Sequence, residues 1–179
     1  MLTYKIIRRL IMAGILGSVL AGPALANCED PPHEQAGWDG CDMTGMSFPG
    51  ADLRNSFASN ANFQGADLTG ARLNGATLRK SNLAKAKLDG ADFTTATLED
   101  SDLSGASLKG ANLSDSLLAN TNFADADLSN ANLEGAILDN ANLAGANLAG
   151  ANFTNASMDQ TIWSDGSICA TTSFGSCDK

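Results

Sequence analysis

One histidine, His33, serves the whole 179-residue chain, so the side chain most used for proton transfer near neutral pH is almost absent. It follows Pro31-Pro32, and no serine, cysteine or carboxylate stands near it in a recognisable catalytic motif. A cap or surface histidine is the reading, and a non-enzyme the consequence. The glycines never fall as GxGxxG or GxxxxGK[ST], which excludes a phosphate-cradling loop, and no cofactor is expected. Basic residues are scarce, with 11 Lys and Arg against 20 Asp and Glu. That balance excludes nucleic acid and anionic lipid as natural partners. No CxxC pair of the zinc type occurs either, so no resident metal is expected.

A bilayer-spanning helix needs about 20 apolar residues. The one apolar run, Leu10 to Leu20, is shorter and follows Lys5, Arg8 and Arg9; Gly22-Pro23 and Ala24-Leu25-Ala26 come after it. This is the pattern of a secretory signal peptide over residues 1–26, which leaves no integral membrane anchor and places the protein in a bacterial periplasm or outside the cell. A lipidated Cys28 is the other reading of this start, against which Asn27 stands where such signals carry a small residue. Residues 1–26 hold three of the eleven basic residues and no acidic ones, so the remaining 153 carry a charge of −12 and fit one domain. In an oxidising compartment Cys28, Cys41, Cys169 and Cys177 read as two disulfides, with two cysteines near each end.

What the chain has in abundance is a period of five. From Cys41 to Ala170 there are 26 consecutive pentads whose central residues, from Met43, Phe48 and Leu53 through Leu103 and Leu128 to Trp163 and Ile168, are never polar. Two places earlier sits a small residue, usually alanine, as at Ala51, Ala61, Ala66, Ala71 and Ala76. Side chains two apart on an extended strand share a face, so the small and the large residue point inward together. Two places after the centre come Gly, Asn or Asp in 21 of the 26 pentads, residues that accept left-handed backbone at least cost. A helix needs apolar spacings of three and four, and a strict five excludes it. A strand and turn this short cannot bury its own apolar residue, so successive turns of chain must stack.

The motif A(D/N)LxG, as in Ala51-Asp52-Leu53, Ala66-Asp67-Leu68, Ala111-Asn112-Leu113 and Ala146-Asn147-Leu148, resembles the pentapeptide-repeat family. That resemblance implies an all-β fold, a right-handed quadrilateral parallel β-helix with four pentads per coil and about six coils. An N-terminal cap is expected at 27–40, the solenoid at 41–170 and a C-terminal cap at 171–179. At Ser56-Phe57-Ala58 the bulky residue stands one place early, which puts the local face geometry in question. With coils of twenty residues, neighbouring rungs pair Arg72 with Asp52 and Asp92, Lys87 with Asp67, Arg79 with Glu99, Lys80 with Asp100, and Lys109 with Asp89. Six coils separate Cys41 from Cys169, so under this resemblance the bridges are Cys28 to Cys41 and Cys169 to Cys177, clamping the two ends.

Four coil faces produce four outward columns. Three are polar for most of their length; the fourth reads Phe57, Thr77, Thr97, Leu117, Ile137 and then Ser157. This strip is the candidate face for a protein partner or for self-association, against the plainer reading that such residues suit extended backbone. Calcium on the Asp and Asn columns is the less favoured reading, because the family pattern uses those residues for ladder hydrogen bonds. The expected function is an exported, non-enzymatic scaffold. The alternative comes from the resemblance: some members mimic B-form DNA in shape and charge and bind the topoisomerase gyrase, which works in the cytoplasm.

Overall fold

The computed structural model describes residues 27–178, so the signal-peptide reading of residues 1–26 lies outside it. Parallel bridges join residues twenty apart without a break, from Gly37 with Phe57 to Asn142 with Ile162. Four such ladders run up the rod. We name the faces by an early residue: Phe57, Asp42, Ser47 and Asp52. The fold is the right-handed quadrilateral β-helix.

Where the N–H groups of one pentad go explains why the motif takes the form it does. In Ala111–Asp115, Ala111 donates to the Leu108 carbonyl at 3.0 Å, closing a turn. Asn112 donates down to Ala91 at 2.9 Å, Leu113 up to Asn132 at 2.7 Å and Asp115 up to Glu134 at 2.9 Å. The remaining N–H, on Ser114, faces neither neighbour coil and donates to the Asn112 side chain at 3.2 Å. An Asp or Asn just before the centre is therefore the intrinsic partner of an otherwise orphaned donor. The asparagines also stack, Asn132 Nδ2 donating to Asn112 Oδ1 at 3.2 Å and Asn152 to Asn132 at 2.9 Å.

Leucine and phenylalanine centres fill the axis: Leu103, Leu128, Phe93 and Phe123 are each 0–1% exposed. Alanine at the small position lets neighbouring coils close over them. At three of the places where a hydroxyl replaces it, the O–H donates to a backbone carbonyl: Ser101 to Leu78 at 2.7 Å, Thr121 to Leu98 at 2.9 Å and Thr161 to Leu138 at 2.8 Å. Among the described residues no buried side-chain polar atom lacks a partner.

At Ser56-Phe57-Ala58 the register holds, with Ser56 and Ala58 each 1% exposed and Phe57 turned outward at 52%. The ends correct the expected boundaries. The solenoid begins earlier than residue 41, since Ala36 and Trp38 are already buried and Gly37 already bridges. It also stops before 170. After Trp163 the left-handed turn residue is Gly166 (φ 82°), not Asp165, a slip of one place. Ile168, which the period of five points inward, is consequently 59% exposed, and Cys169 is buried in its stead. From there the chain doubles back, pairing Ile162 with Ile168 and Ser157 with Phe174 antiparallel. Regular coil thus covers 36–163, and the C-terminal cap 164–178.

Left-handed corners need glycine only where the coil beneath crowds them. A Cβ on Gly135 (φ 67°) would lie 2.5 Å from Asp115 Oδ1, whereas one on Gly110 (φ 62°) meets nothing within 4 Å. Gly110→Asn is expected to melt within a few degrees of wild type, as asparagine already fills six such corners elsewhere in the described rod, for example at Asn130 (φ 57°). Gly135→Ala is expected to lose about 1–3 kcal/mol from strain and collision together. Paired thermal melts check this, and equal losses would contradict it.

Candidate interaction surface

The Phe57 ladder places Phe57, Thr77, Thr97, Leu117 and Ile137 one above another, each bridged to the next. Phe57, Leu117 and Ile137 are 52%, 37% and 40% exposed, and the two threonines between are half-buried. Beyond Ser157 the cap adds Phe174, 63% exposed, to the same line. The repeat could not announce Phe174, because it joins through an antiparallel bridge after the period has ended. Four of the six large apolar residues exposed among the described ones stand on this face.

The strip has given up the work that Asp and Asn do elsewhere. Without a carboxamide or carboxylate before the centre, the orphan N–H of Ser59 turns to Asp39 of the coil below at 2.7 Å, and that of Asp159 to Asp139 at 3.1 Å. Its flank is charged: Arg79 pairs with Glu99 and lies 3.8 Å from Asp100. Arg72 reaches Asp52 at 3.5 Å as the twenty-residue period predicts. Arg72 is bridged to Asp92 and Lys87 to Asp67 as expected, but without an ion pair, and two further expected pairs are replaced. Arg79 takes the place of Lys80 at Asp100, and the Lys109 ammonium turns to Asp127 at 3.4 Å because Asp89 is occupied by the Lys109 N–H at 3.0 Å and by the Ser107 hydroxyl. Arg54, bonded to both Asp52 and Glu34, was not in the predicted set.

The carboxylates of the polar columns are spoken for. Hydrogen bonds from Arg54, first its side chain, hold Asp52 down to about 2. The Thr44 hydroxyl and N–H lower Asp42, those of Thr69 lower Asp67, and those of Ser129 lower Asp127. Each depressed group supports the fold above its unfolded value near 4 and loses that support as pH falls through its folded value. The thermal midpoint is therefore expected to stay level from neutral pH to about 4.5 and to drop towards pH 2, with Asp52→Asn shrinking the drop. A melt series across that range checks the sign; a midpoint that rises on acidification would contradict it. Among the described residues no group of three or more His, Cys, Asp or Glu side chains is placed to hold a metal ion. His33 sits exposed in the N-terminal segment, its Nδ1 2.7 Å from the Glu34 carbonyl oxygen. The cysteines pair as Cys28 with Cys41 and Cys169 with Cys177, Cα atoms 5.4 and 4.9 Å apart.

The sequence model for pentapeptide repeats matches in eight copies over residues 34–75, 59–94, 96–135 and 126–162. The chain belongs to the pentapeptide-repeat family. Solved structures similar to this pentapeptide-repeat protein include the plasmid-mediated fluoroquinolone resistance protein QnrB1 in a trypsin-treated form, at 24% identity over 68% of this chain and 70% of that one, TM-score 0.45. A pentapeptide repeat protein of the Arabidopsis thaliana thylakoid lumen is 24% identical over 75% and 77%, TM-score 0.42. HetL, involved in heterocyst differentiation regulation in the cyanobacterium Nostoc sp. strain PCC 7120, is 29% identical over 71% and 78%, TM-score 0.25. No curated protein sequence matches the chain.

Proposed function

We propose that this pentapeptide-repeat protein is an exported, non-enzymatic scaffold that presents the strip of Phe57, Thr77, Thr97, Leu117 and Ile137, extended by Phe174, to a protein partner. The observation that carries the reading is the concentration of exposed apolar side chains on one face of four, where the Asp and Asn that cap the backbone on the other faces are missing. Two disulfides at the ends agree with an oxidising compartment. Leu117→Asp with Ile137→Asp is expected to leave the melting temperature within about 2 °C, since both side chains stand outside the core, and to abolish capture of the partner from a periplasmic extract. Retention of every association by that folded variant would sink the strip assignment. The second reading, an acidic DNA-shaped rod that binds gyrase, is favoured by the charge of −12 on residues 27–179. It requires the mature chain in the cytosolic fraction and inhibition of supercoiling.

A further inference from the structure

Read in reverse, the exposed strip is the complement of itself. Its column runs from Gly37 through Phe57 to Ser157 and on to Phe174, each residue bridged to the next. Paired from the two ends inward, every small residue meets a large one: Gly37 with Phe174, Ser157 with Phe57, Thr77 with Ile137 and Thr97 with Leu117. The large member of each pair is exposed and the small member half-buried. A Cβ on Gly37 would meet nothing within 4 Å, so the space before it is open to a ring. A twofold axis perpendicular to the rod, passing between the Thr97 and Leu117 rungs, sets two such columns face to face in this pairing, with knobs over hollows at each level.

The same axis brings each flank of the strip onto the same flank of the other copy in reverse order, and the charges fit. Arg79 and the neighbouring Lys80 come opposite Asp139, whose bonds from the Ser157 hydroxyl at 2.6 Å and the Asp159 N–H at 3.1 Å both fall on Oδ1 and leave Oδ2 for them. Asp159 comes opposite Ser59, Glu99 opposite Ala119, Glu134 opposite Asn74 and Asp115 opposite Thr95, so between the Phe57 and Ser157 rungs no acid meets an acid. Other registers lose this. Sliding one copy by a rung moves the axis onto Thr97, where Phe57 meets Ile137 and Glu99 meets Glu99, or onto Leu117, where Glu99 meets Asp139. A parallel pair sets each residue on itself, large on large, and Glu134 against Asp139. The charge of −12 on residues 27–179 repels over distance but is screened beyond about 8 Å at physiological salt. Seven rung steps make the strip about 34 Å tall, and a five-residue side is about 15 Å wide. That is about 1,000 Å² over both copies, the lower bound for a specific contact and the size of a reversible one. We infer that the strip is an isologous dimer interface and that the partner it fits is a second copy of this chain, antiparallel and in this register; the inference rests on the strip being an interaction face, as proposed above.

Sedimentation equilibrium of the mature chain, disulfides closed, is expected to show the particle mass rising from one chain to two between about 5 and about 500 µM. Thr77→Phe puts on the next rung the outward phenylalanine that the column already carries at Phe57, so the monomer keeps its fold, but it collides with Ile137 of the second copy and is expected to weaken the dimer by about tenfold or more. Adding Ile137→Ala to Thr77→Phe restores the volume across the axis and is expected to bring the dissociation constant back to within about threefold of wild type. Within one copy these two residues stand three rungs, about 14 Å, apart, so a rescue reports contact between copies. A dimer in a mixture of differently labelled wild-type chains is also expected to show intermolecular NOEs between Thr77 and Ile137, a measurement that needs no variant. A double variant no tighter than Thr77→Phe alone, or a dimer whose intermolecular NOEs join Ile137 to Ile137, overturns the inference. A wild-type chain monomeric throughout the range overturns it too, and leaves the strip itself to be judged by the Leu117→Asp, Ile137→Asp capture experiment.

Discussion

Phe123→Ala is expected to lower stability by about 3–5 kcal/mol, the cost of removing a large aromatic from a site that cannot collapse around the void. Phe123 is 0% exposed and lies mid-rod, with Leu103 and Leu143, also 0% exposed, as the centres one coil below and one above. The backbone on each side is fixed by ladder bonds, Phe123 N–H to Asn142 at 2.7 Å and Leu103 N–H to Asn122 at 2.7 Å, so neither coil can sag into the cavity. Leu117→Ala, at a residue 37% exposed, is the control and is expected to cost under about 1 kcal/mol. Urea unfolding of both variants checks the contrast. A loss below about 1 kcal/mol for Phe123→Ala would mean the axis is not filled as described.

Opening both disulfides is the second large effect. The bridges close loops with sequence separations of 13 and 8, worth about 3 and about 2.5 kcal/mol by the loop-closure entropy they remove from the unfolded chain. Because a solenoid is stabilised coil by coil, the loss should appear first at its ends. Amides of Trp38 and Met158 are expected to gain exchange rate by more than tenfold on reduction, while those of Leu88 and Leu98 change little. Uniform acceleration along the whole chain would contradict the picture of clamped termini.

The fold was legible because one residue type at one interval leaves a single arrangement in which every bulky group is buried. Even Phe57, which breaks the pattern to the eye, follows the alternation of strand side chains. The disulfide pairing followed from coil geometry. The ends were less legible for a physical reason: a period persists in sequence until it is contradicted, and Gly166 shifts the turn by one place without changing the composition around it. Ile168 therefore kept its place in the period but not in the core. Charge pairs were legible in their spacing only. Which amine meets which carboxylate depends on what else bonds the carboxylate, as Asp89 shows by taking the Lys109 N–H and releasing its ammonium to Asp127. The strip itself could be read from the columns, but Phe174 could not, since an antiparallel return has no place in a parallel count.

Hydrogen-bond scalar couplings in the NMR spectrum of the mature protein reach the central arrangement most directly. Couplings are expected from the Leu98 N–H to the Leu117 carbonyl and from the Leu117 N–H to the Ala96 carbonyl, groups 2.8 and 2.9 Å apart. Couplings four residues apart, or none across these pairs in a folded sample, would contradict the stacked coil and with it the strip.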